Sequence, residues 1–176
     1  MDIGCAVGRT TIELASLFDE VIGIDLSNAF IAAANETLAT KYANLSNKVK
    51  FLVGDACKLE QSLGKFSLIF GGNLIDRLYD PEAFLIQVAG FLETNGVLIL
   101  TSPYSWLEEY TPKEKWIGGY YKDGKPVTTP EGLRNILGAH GFKELHQPED
   151  VRFVIKENAW VYQYTSANMT FWKKVQ

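Results

Sequence analysis

An α/β fold built on a mostly parallel sheet is predicted by three observations. Short β-branched or apolar runs bounded by turn residues recur at 21–25, 49–54, 66–71 and 97–102, the signature of strands buried on both faces. Amphipathic helical patterns lie between them, so the order is strand, helix, strand, helix. The opening run Met1-Asp2-Ile3-Gly4-Cys5-Ala6-Val7-Gly8-Arg9-Thr10 reads as a strand that ends in a glycine-bearing turn and feeds a helix.

Each element has its own justification. Gly4 and Gly8 permit positive φ and a close backbone approach to a ligand, and the helix that follows opens with unpaired N–H groups. In 28–42 the residues Phe30, Ile31, Ala34, Leu38 and Tyr42 recur at helical spacing, with Ser27 as N-cap. Asp80 as cap and Pro81 at the first position open the next helix, whose apolar residues are Phe84, Leu85, Val88, Phe91 and Leu92. A helix over 130–140 takes Thr129 as its cap, turns Leu133, Ile136 and Leu137 inward and stops at Gly141. Residues 142–155 and 161–173 read as two extended segments forming a C-terminal antiparallel pair, with Trp160 and Trp172 packed in the core or the hairpin. Between 103 and 129 runs a long aromatic connection with a tight turn at Asp123-Gly124, the kind of segment that serves as a lid or binding loop.

Composition narrows the function. The 176 residues suit one domain, and 47% hydrophobic with 22% charged residues is ordinary for a globular chain. A net charge of −4 gives no attraction for nucleic acid or an anionic membrane, so neither is expected as a partner. The longest apolar runs fall well short of the ~20 residues of a membrane span, and no basic-then-apolar leader opens the chain, so a cytoplasmic location is expected. Cys5 and Cys57 with His140 and His146 make no metal cluster, so no metal is expected. His140, near a helix C-terminus, reads as a dipole-favoured cation, and Lys113 and Lys115 read as solvated surface.

In an open parallel sheet ligands sit at the carboxyl ends of the strands. Here those ends carry Gly4 to Gly8, then Asp25 (23 positions after Asp2), then Asp55-Ala56, then Gly71-Gly72-Asn73. An acidic residue at the second strand end can accept from both ribose hydroxyls, and one at the third from an exocyclic amine. A dinucleotide enzyme would carry Gly-x-Gly-x-x-Gly, whose middle glycine makes room for a pyrophosphate; this chain has Gly4-x-Ala6-x-Gly8. S-adenosylmethionine has no phosphate, and acids at Asp2 and Asp25 suit its ammonium and ribose, so a methyl donor is the favoured cofactor.

The Asp2-Ile3-Gly4-Cys5-Ala6-Val7-Gly8 loop, Asp25, Asp55-Ala56 and the strand order resemble a class I S-adenosylmethionine-dependent methyltransferase. Three stretches resemble more specifically the C-terminal methyltransferase domain of ovothiol synthases, described as 4-mercaptohistidine ring-nitrogen methyltransferases. They are Gly72-Asn73-Leu74-Ile75-Asp76-Arg77-Leu78-Tyr79-Asp80-Pro81, Ser102-Pro103-Tyr104-Ser105-Trp106-Leu107-Glu108-Glu109-Tyr110-Thr111-Pro112, and Phe153-Val154-Ile155-Lys156-Glu157.

The resemblance implies a Rossmann-like sheet forming a single domain over 1–176. It implies that Asp2, Gly4, Cys5 and Gly8 hold the methionine end, Asp25 the ribose, Asp55 and Ala56 the adenine, with Leu26 and Phe30 against the base and Asn73 beside the cofactor. Class I domains have a helix and most of the first strand before the position of Asp2, so this domain is expected to be N-terminally truncated. An iron-dependent sulfoxide synthase region lies upstream in ovothiol synthases and is the expected fusion partner.

On the acceptor side, an imidazole nitrogen is nucleophilic when neutral and needs its tautomer held. Asn73 or Asp76 is expected to orient the acceptor ring or amine, and Arg77 to pair with its carboxylate. Tyr79, Tyr104, Trp106 and Tyr110 are candidate aromatic walls, with Glu108 or Glu109 reaching an ammonium. The expected activity is methyl transfer to a ring nitrogen of 4-mercaptohistidine. The alternatives are another small amine, thiol or carboxylate acceptor, or a catalytically silent binding module of the same fold.

Overall fold

A computed structural model describes residues 1–175. The chain runs through β1 (Asp2–Ile3), α1 (Arg9–Leu14), β2 (Val21–Asp25), α2 (Asn28–Lys41), β3 (Val49–Val53), β4 (Phe66–Gly72), α3 (Pro81–Val88) and β5 (Leu92–Ser102). It continues through β6 (Tyr120–Lys122), β7 (Lys125–Val127), α4 (Thr129–Ala139), β8 (Phe142–Glu144), β9 (Glu149–Lys156) and β10 (Tyr162–Lys174). The main sheet has the order β3-β2-β1-β4-β5-β10-β8. Its first five strands are parallel, and β10 is antiparallel to β5, β8 and β9. The order reverses between β1 and β4, so the switch point that receives ligands in such sheets falls beside the Gly4–Gly8 turn.

Alternation along the strands divides the core. Ile22 and Ile24 join Ile69, Leu98 and Leu100 under α3 and α4, where Phe84, Leu85, Leu133 and Leu137 are fully buried. Val21, Val49 and Phe51 point to the other face, against Ile12 and Ala15 of α1 and Ile31, Ala34 and Leu38 of α2. Burying each large side chain contributes about 1.5–3 kcal/mol, so both helical layers are held chiefly by these stripes.

The caps follow the sequence with one exception. Ser27 Oγ accepts from Phe30 N and Asp80 Oδ1 from Ala83 N, as their positions predict. The cap of α4 is Thr128, not Thr129. Thr128 Oγ1 accepts from Glu131 N, and Glu131 Oε2 accepts from Thr128 N at 2.8 Å, a reciprocal box. Thr129 turns inward instead and accepts from the Trp106 indole at 3.0 Å.

Two other elements differ from expectation. Phe91 lies in a short 3-10 turn and Leu92 in β5, so α3 stops at Val88. The register jumps from Phe66 opposite Leu92 to Leu68 opposite Val97, with Asn95 at φ +67°, so Glu93 to Gly96 bulge out of a longer strand. The segment 142–155 divides into β8 and β9, both paired to β10. Trp172 is buried, but Trp160 is 90% exposed at the β9–β10 turn.

The aromatic connection contains the β6–β7 hairpin, whose two-residue turn places Asp123 and Gly124 both at positive φ, as predicted. It is pinned to α4 by glycines. A Cβ on Gly132 would lie 1.7 Å from Ile117 O, and one on Gly118 2.2 Å from Thr129 N, so the two backbones touch directly.

Candidate functional site

At the carboxyl ends of β1, β2 and β3 a cavity of about 140 Å³ is lined by Ile3, Gly4, Ile24, Asp25, Leu26, Gly54, Asp55, Ala56, Leu74, Arg77, Leu78 and Tyr79. The sequence thus places Gly4, Asp25, Leu26, Asp55 and Ala56 together as expected. Asp2, Cys5 and Ala6 line, with Gly4, a neighbouring hollow toward Phe70 and Gly72 of β4.

Four N–H groups of the glycine loop are spent on the protein. Gly4 N and Cys5 N both donate to Ile24 O at 2.8 and 3.0 Å, Gly8 N to Cys5 O at 2.8 Å, and Ala6 N to Asp25 Oδ2 at 2.9 Å. A phosphate cradle needs such N–H groups aimed at the ligand, and these four are turned to the protein instead. Ala6 makes this bond at φ +46°, a left-handed backbone uncommon for alanine. Asp25 Oδ1 also accepts from Ser27 N at 2.9 Å, and each carboxylate oxygen retains a second lone pair for a hydroxyl donor.

Asp2 is almost wholly buried and accepts from Thr11 Oγ1 at 2.6 Å. Burial raises its carboxyl above the usual range, opposed by that hydroxyl. Cys5 is buried beside it, and burial followed by the charges of Asp2 and Asp25 pushes its thiol up to about 12. Gly8 serves packing: its φ is +84°, and a Cβ there would meet the Phe51 ring at 2.4 Å. Phe51 of β3 and Ala34 of α2 therefore close over this glycine. Phe30 is half-exposed on the first turn of α2 and stands outside the cavity lining, while Leu26, 68% exposed, forms its rim.

Tyr79 changes sides. Its hydroxyl donates to Asp55 Oδ2 at 2.9 Å, and it lines the cavity at the strand ends, not an acceptor wall. Desolvation, then the Asp55 bond, pushes its phenol up to about 12, so it stays a donor. Asp55 Oδ1 accepts from Cys57 N at 2.8 Å, which fixes the carboxylate plane.

A second cavity, about 170 Å³, lies on the far side of Arg77 and is lined by Asn73, Asp76, Arg77, Pro103, Ser105, Phe153, Ile155, Gln163 and Thr165. Asn73 stands at its edge at φ +51°, its N–H donating to Thr101 O at 2.8 Å and its Oδ1 accepting from the Thr101 hydroxyl at 3.2 Å. Asp76 is buried and accepts from Ser102 Oγ, Ser105 N, Ser105 Oγ and Arg77 Nη1 at 2.8–3.1 Å. These four donors make it tie the loop together while it lines the cavity.

Arg77 is similarly committed. Nη1 donates to Asp76 O, Asp76 Oδ2 and Ser105 O, Nη2 to Ser105 Oγ, and the guanidinium lies 5.3 Å over the Tyr110 ring. The fork expected to meet an acceptor carboxylate holds its own loop. Tyr110 supports Arg77 from outside, and Glu108 and Glu109 are exposed and line neither cavity. Trp106 is buried, stacked on Trp116 at 6.2 Å, and belongs to the core. Tyr104 turns away to donate to Asn168 Oδ1 at 3.0 Å.

Thr11 and Gln163 were not singled out from sequence, and Leu74, Leu78 and Phe153 stood there only within stretches of resemblance, with no role of their own. Lys115 is exposed as expected, though it pairs with the cap Asp80 at 2.6 Å. His140 Nδ1 lies 2.8 Å from Ile136 O at the end of α4. Among the described residues no group of three or more His, Cys, Asp or Glu is placed to hold a metal, and no helix is long and apolar enough to cross a membrane.

A doubly wound sheet with a glycine turn and acids at its first three strand ends defines a nucleoside-binding α/β domain. The methyltransferase-domain family matches residues 1–129, and the chain belongs to it. It is 29% identical to ajmaline N-methyltransferase of Rauvolfia serpentina over 58% of this chain and 35% of the relative. It is 38% identical to magnesium-protoporphyrin O-methyltransferase of Rhodobacter capsulatus over 77% of this chain and 58% of the relative. The chain thus spans between about a third and three fifths of these relatives. The fold matches magnesium protoporphyrin IX methyltransferase of Synechocystis PCC 6803, solved with bound SAM, at TM-score 0.65 and 19% identity over 98% of this chain and 68% of that one. The class I methyltransferase fold is therefore as expected.

Proposed function

We propose that the protein is an S-adenosylmethionine-dependent methyltransferase of a small acceptor. The observation that carries this reading is the loop whose Gly4, Cys5, Ala6 and Gly8 N–H groups are spent internally, beside the carboxylates Asp25 and Asp55. That donor set suits a nucleoside cofactor without phosphate. The solved relative with bound SAM supports the same choice. Asp25 would receive the ribose hydroxyls, Asp55 and Ala56 the adenine edge, Leu26 a face of the base, and the Gly4 side of the loop the amino-acid end.

When bound, the cofactor supplies an electrophilic methyl on a sulfonium. The chain's part is positioning: the Asp76–Arg77–Ser105 knot fixes the wall between the two cavities, and Asn73 presents an amide at the edge of the second. A ring nitrogen held there needs its neutral form and a route for its proton after transfer.

The acceptor we propose is the imidazole nitrogen of 4-mercaptohistidine, on the stretches 72–81, 102–112 and 153–157 that resemble the ovothiol synthase domain. The curated relatives include both N- and O-methyltransferases, so the attacking atom rests on that resemblance. Calorimetry with S-adenosylmethionine and S-adenosylhomocysteine is expected to show one site each. Labelled-methyl transfer to 4-mercaptohistidine, histidine and simple thiols follows. No binding by folded protein would overturn the cofactor, and labelling of other acceptors but not 4-mercaptohistidine would overturn the substrate.

A further inference from the structure

The second cavity has a wall that lies outside the main parallel sheet. Residues 168–173 of β10 pair with β5, with Asn168 opposite Ser102, the last residue of that strand. Because β10 is antiparallel, its residues before 168 run past the carboxyl end of β5, on the ligand side of the sheet. Six residues, 162–167, extend about 20 Å beyond it. They do so paired with β9, Gln163 opposite Ile155 and Thr165 opposite Phe153.

The pairing fixes which side chains face inward. Phe153, Ile155, Gln163 and Thr165 share one face and line the cavity opposite Asn73 and Ser105. Arg152, Val154, Tyr162 and Tyr164, on the other face, are exposed, and on the inner face Ile155 and Gln163 are exposed at the mouth while Phe153 and Thr165 are half-buried. The base is tethered by a relay in which Tyr104 donates to Asn168 Oδ1 at 3.0 Å and Asn168 Nδ2 to Asp150 Oδ1 at 3.3 Å. Those bonds join the loop after β5, β10 and β9, which gives Tyr104 a positioning role.

The chemistry of the cavity is distinctive. Its only charged lining residues, Asp76 and Arg77, are paired at 2.8 Å. The remainder are amides, hydroxyls, Pro103, Phe153 and Ile155. A charged group entering there gains no unpaired opposite charge for the water it gives up, whereas a neutral ring gains apolar contact and an amide partner. At about 170 Å³ the cavity is below the ~300 Å³ at which drug-sized pockets begin.

We propose that the β9–β10 hairpin is the acceptor-selecting wall and that Gln163 reads the polar edge of the acceptor's nitrogen ring in its uncharged form, the acceptor's charged amino-acid groups staying outside this lining. This rests on the proposed methyltransferase function and specifies which form of acceptor it takes. The test is a titration of the full ¹⁵N-labelled chain with 1-methylimidazole and with 1,3-dimethylimidazolium, which differ by one methyl and a fixed charge. The Gln163 side-chain amide is expected to shift with the first. Gln163→Leu is expected to weaken that binding about tenfold, the loss of one hydrogen bond, and Tyr164→Ser on the outer face to leave it unchanged. The cation is expected to bind at least about tenfold more weakly.

An unshifted Gln163 amide with equal binding by wild type and Gln163→Leu would overturn the proposal, as would equal binding of the cation. Calorimetry with S-adenosylmethionine on the same samples separates the two levels. Loss of cofactor binding in wild type strikes the proposed function, while intact cofactor binding with an indifferent Gln163 strikes only the wall.

Discussion

Gly8→Ala isolates the packing role of the glycine turn. The added Cβ would lie 2.4 Å from Phe51 Cζ, 2.6 Å from Cε1 and 3.1 Å from the Ala34 Cβ, at a residue with φ +84°. Left-handed backbone at a non-glycine residue costs about 1–2 kcal/mol, and forcing a methyl into a packed core about 1–3 kcal/mol. The expected destabilisation is therefore about 2–5 kcal/mol. With a urea m-value of about 2 kcal/mol/M, the midpoint should fall by about 1–2.5 M. Urea unfolding followed by tryptophan fluorescence measures it. Phe51→Leu removes the ring that the methyl strikes, so the double variant should be more stable than the sum of the single losses by about 1 kcal/mol or more. A shift under about 0.5 kcal/mol for Gly8→Ala, or strict additivity with Phe51→Leu, would refute the reasoning.

Four further outcomes follow from the site. Cys5, with its thiol raised to about 12, should react with a disulfide reagent at pH 8 about a thousandfold more slowly than a free cysteine until urea is added. Because the unfolded thiol ionises first, from its ordinary value of 9.0, Cys5 should also cost stability as pH rises from 9 toward 12, by at most about 1.4 kcal/mol per unit, read from urea midpoints across that range. Tyr79→Phe frees one oxygen of Asp55 and should weaken S-adenosylmethionine binding about threefold to tenfold by calorimetry, with little change in melting temperature. Asp76→Asn sets an amide N–H among four donors in a buried knot and should cost about 2–4 kcal/mol in urea unfolding; a neutral result would show that the knot is not structural.

The fold was legible because strands covered on both faces leave continuous apolar runs, and because Ser27, Asp80 and Pro81 mark helix starts by side-chain chemistry alone. The start of β5 was not, since Glu93-Thr94-Asn95-Gly96 reads as a turn and is instead a bulge inside the strand. At adjacent threonines the sequence names the cap type but not which residue takes it; Thr129 was drawn inward by the Trp106 indole. The cofactor side was legible from positions at strand ends, which topology fixes. The acceptor side was not, because Tyr79, Trp106 and Arg77 are assigned by partners far along the chain: Asp55, Thr129 and Ser105.

The seam between the aromatic segment and α4 has a consequence for how this domain can change. At Gly118 and Gly132 main chain rests on main chain, with no side chain between to be shortened or repacked. The segment cannot slide along α4, and a residue inserted at the seam would meet a peptide group instead of a yielding side chain. Variation in length is confined to the spans on either side, of which the Asp123-Gly124 tip, exposed and already left-handed, is the one that can grow without disturbing the rest.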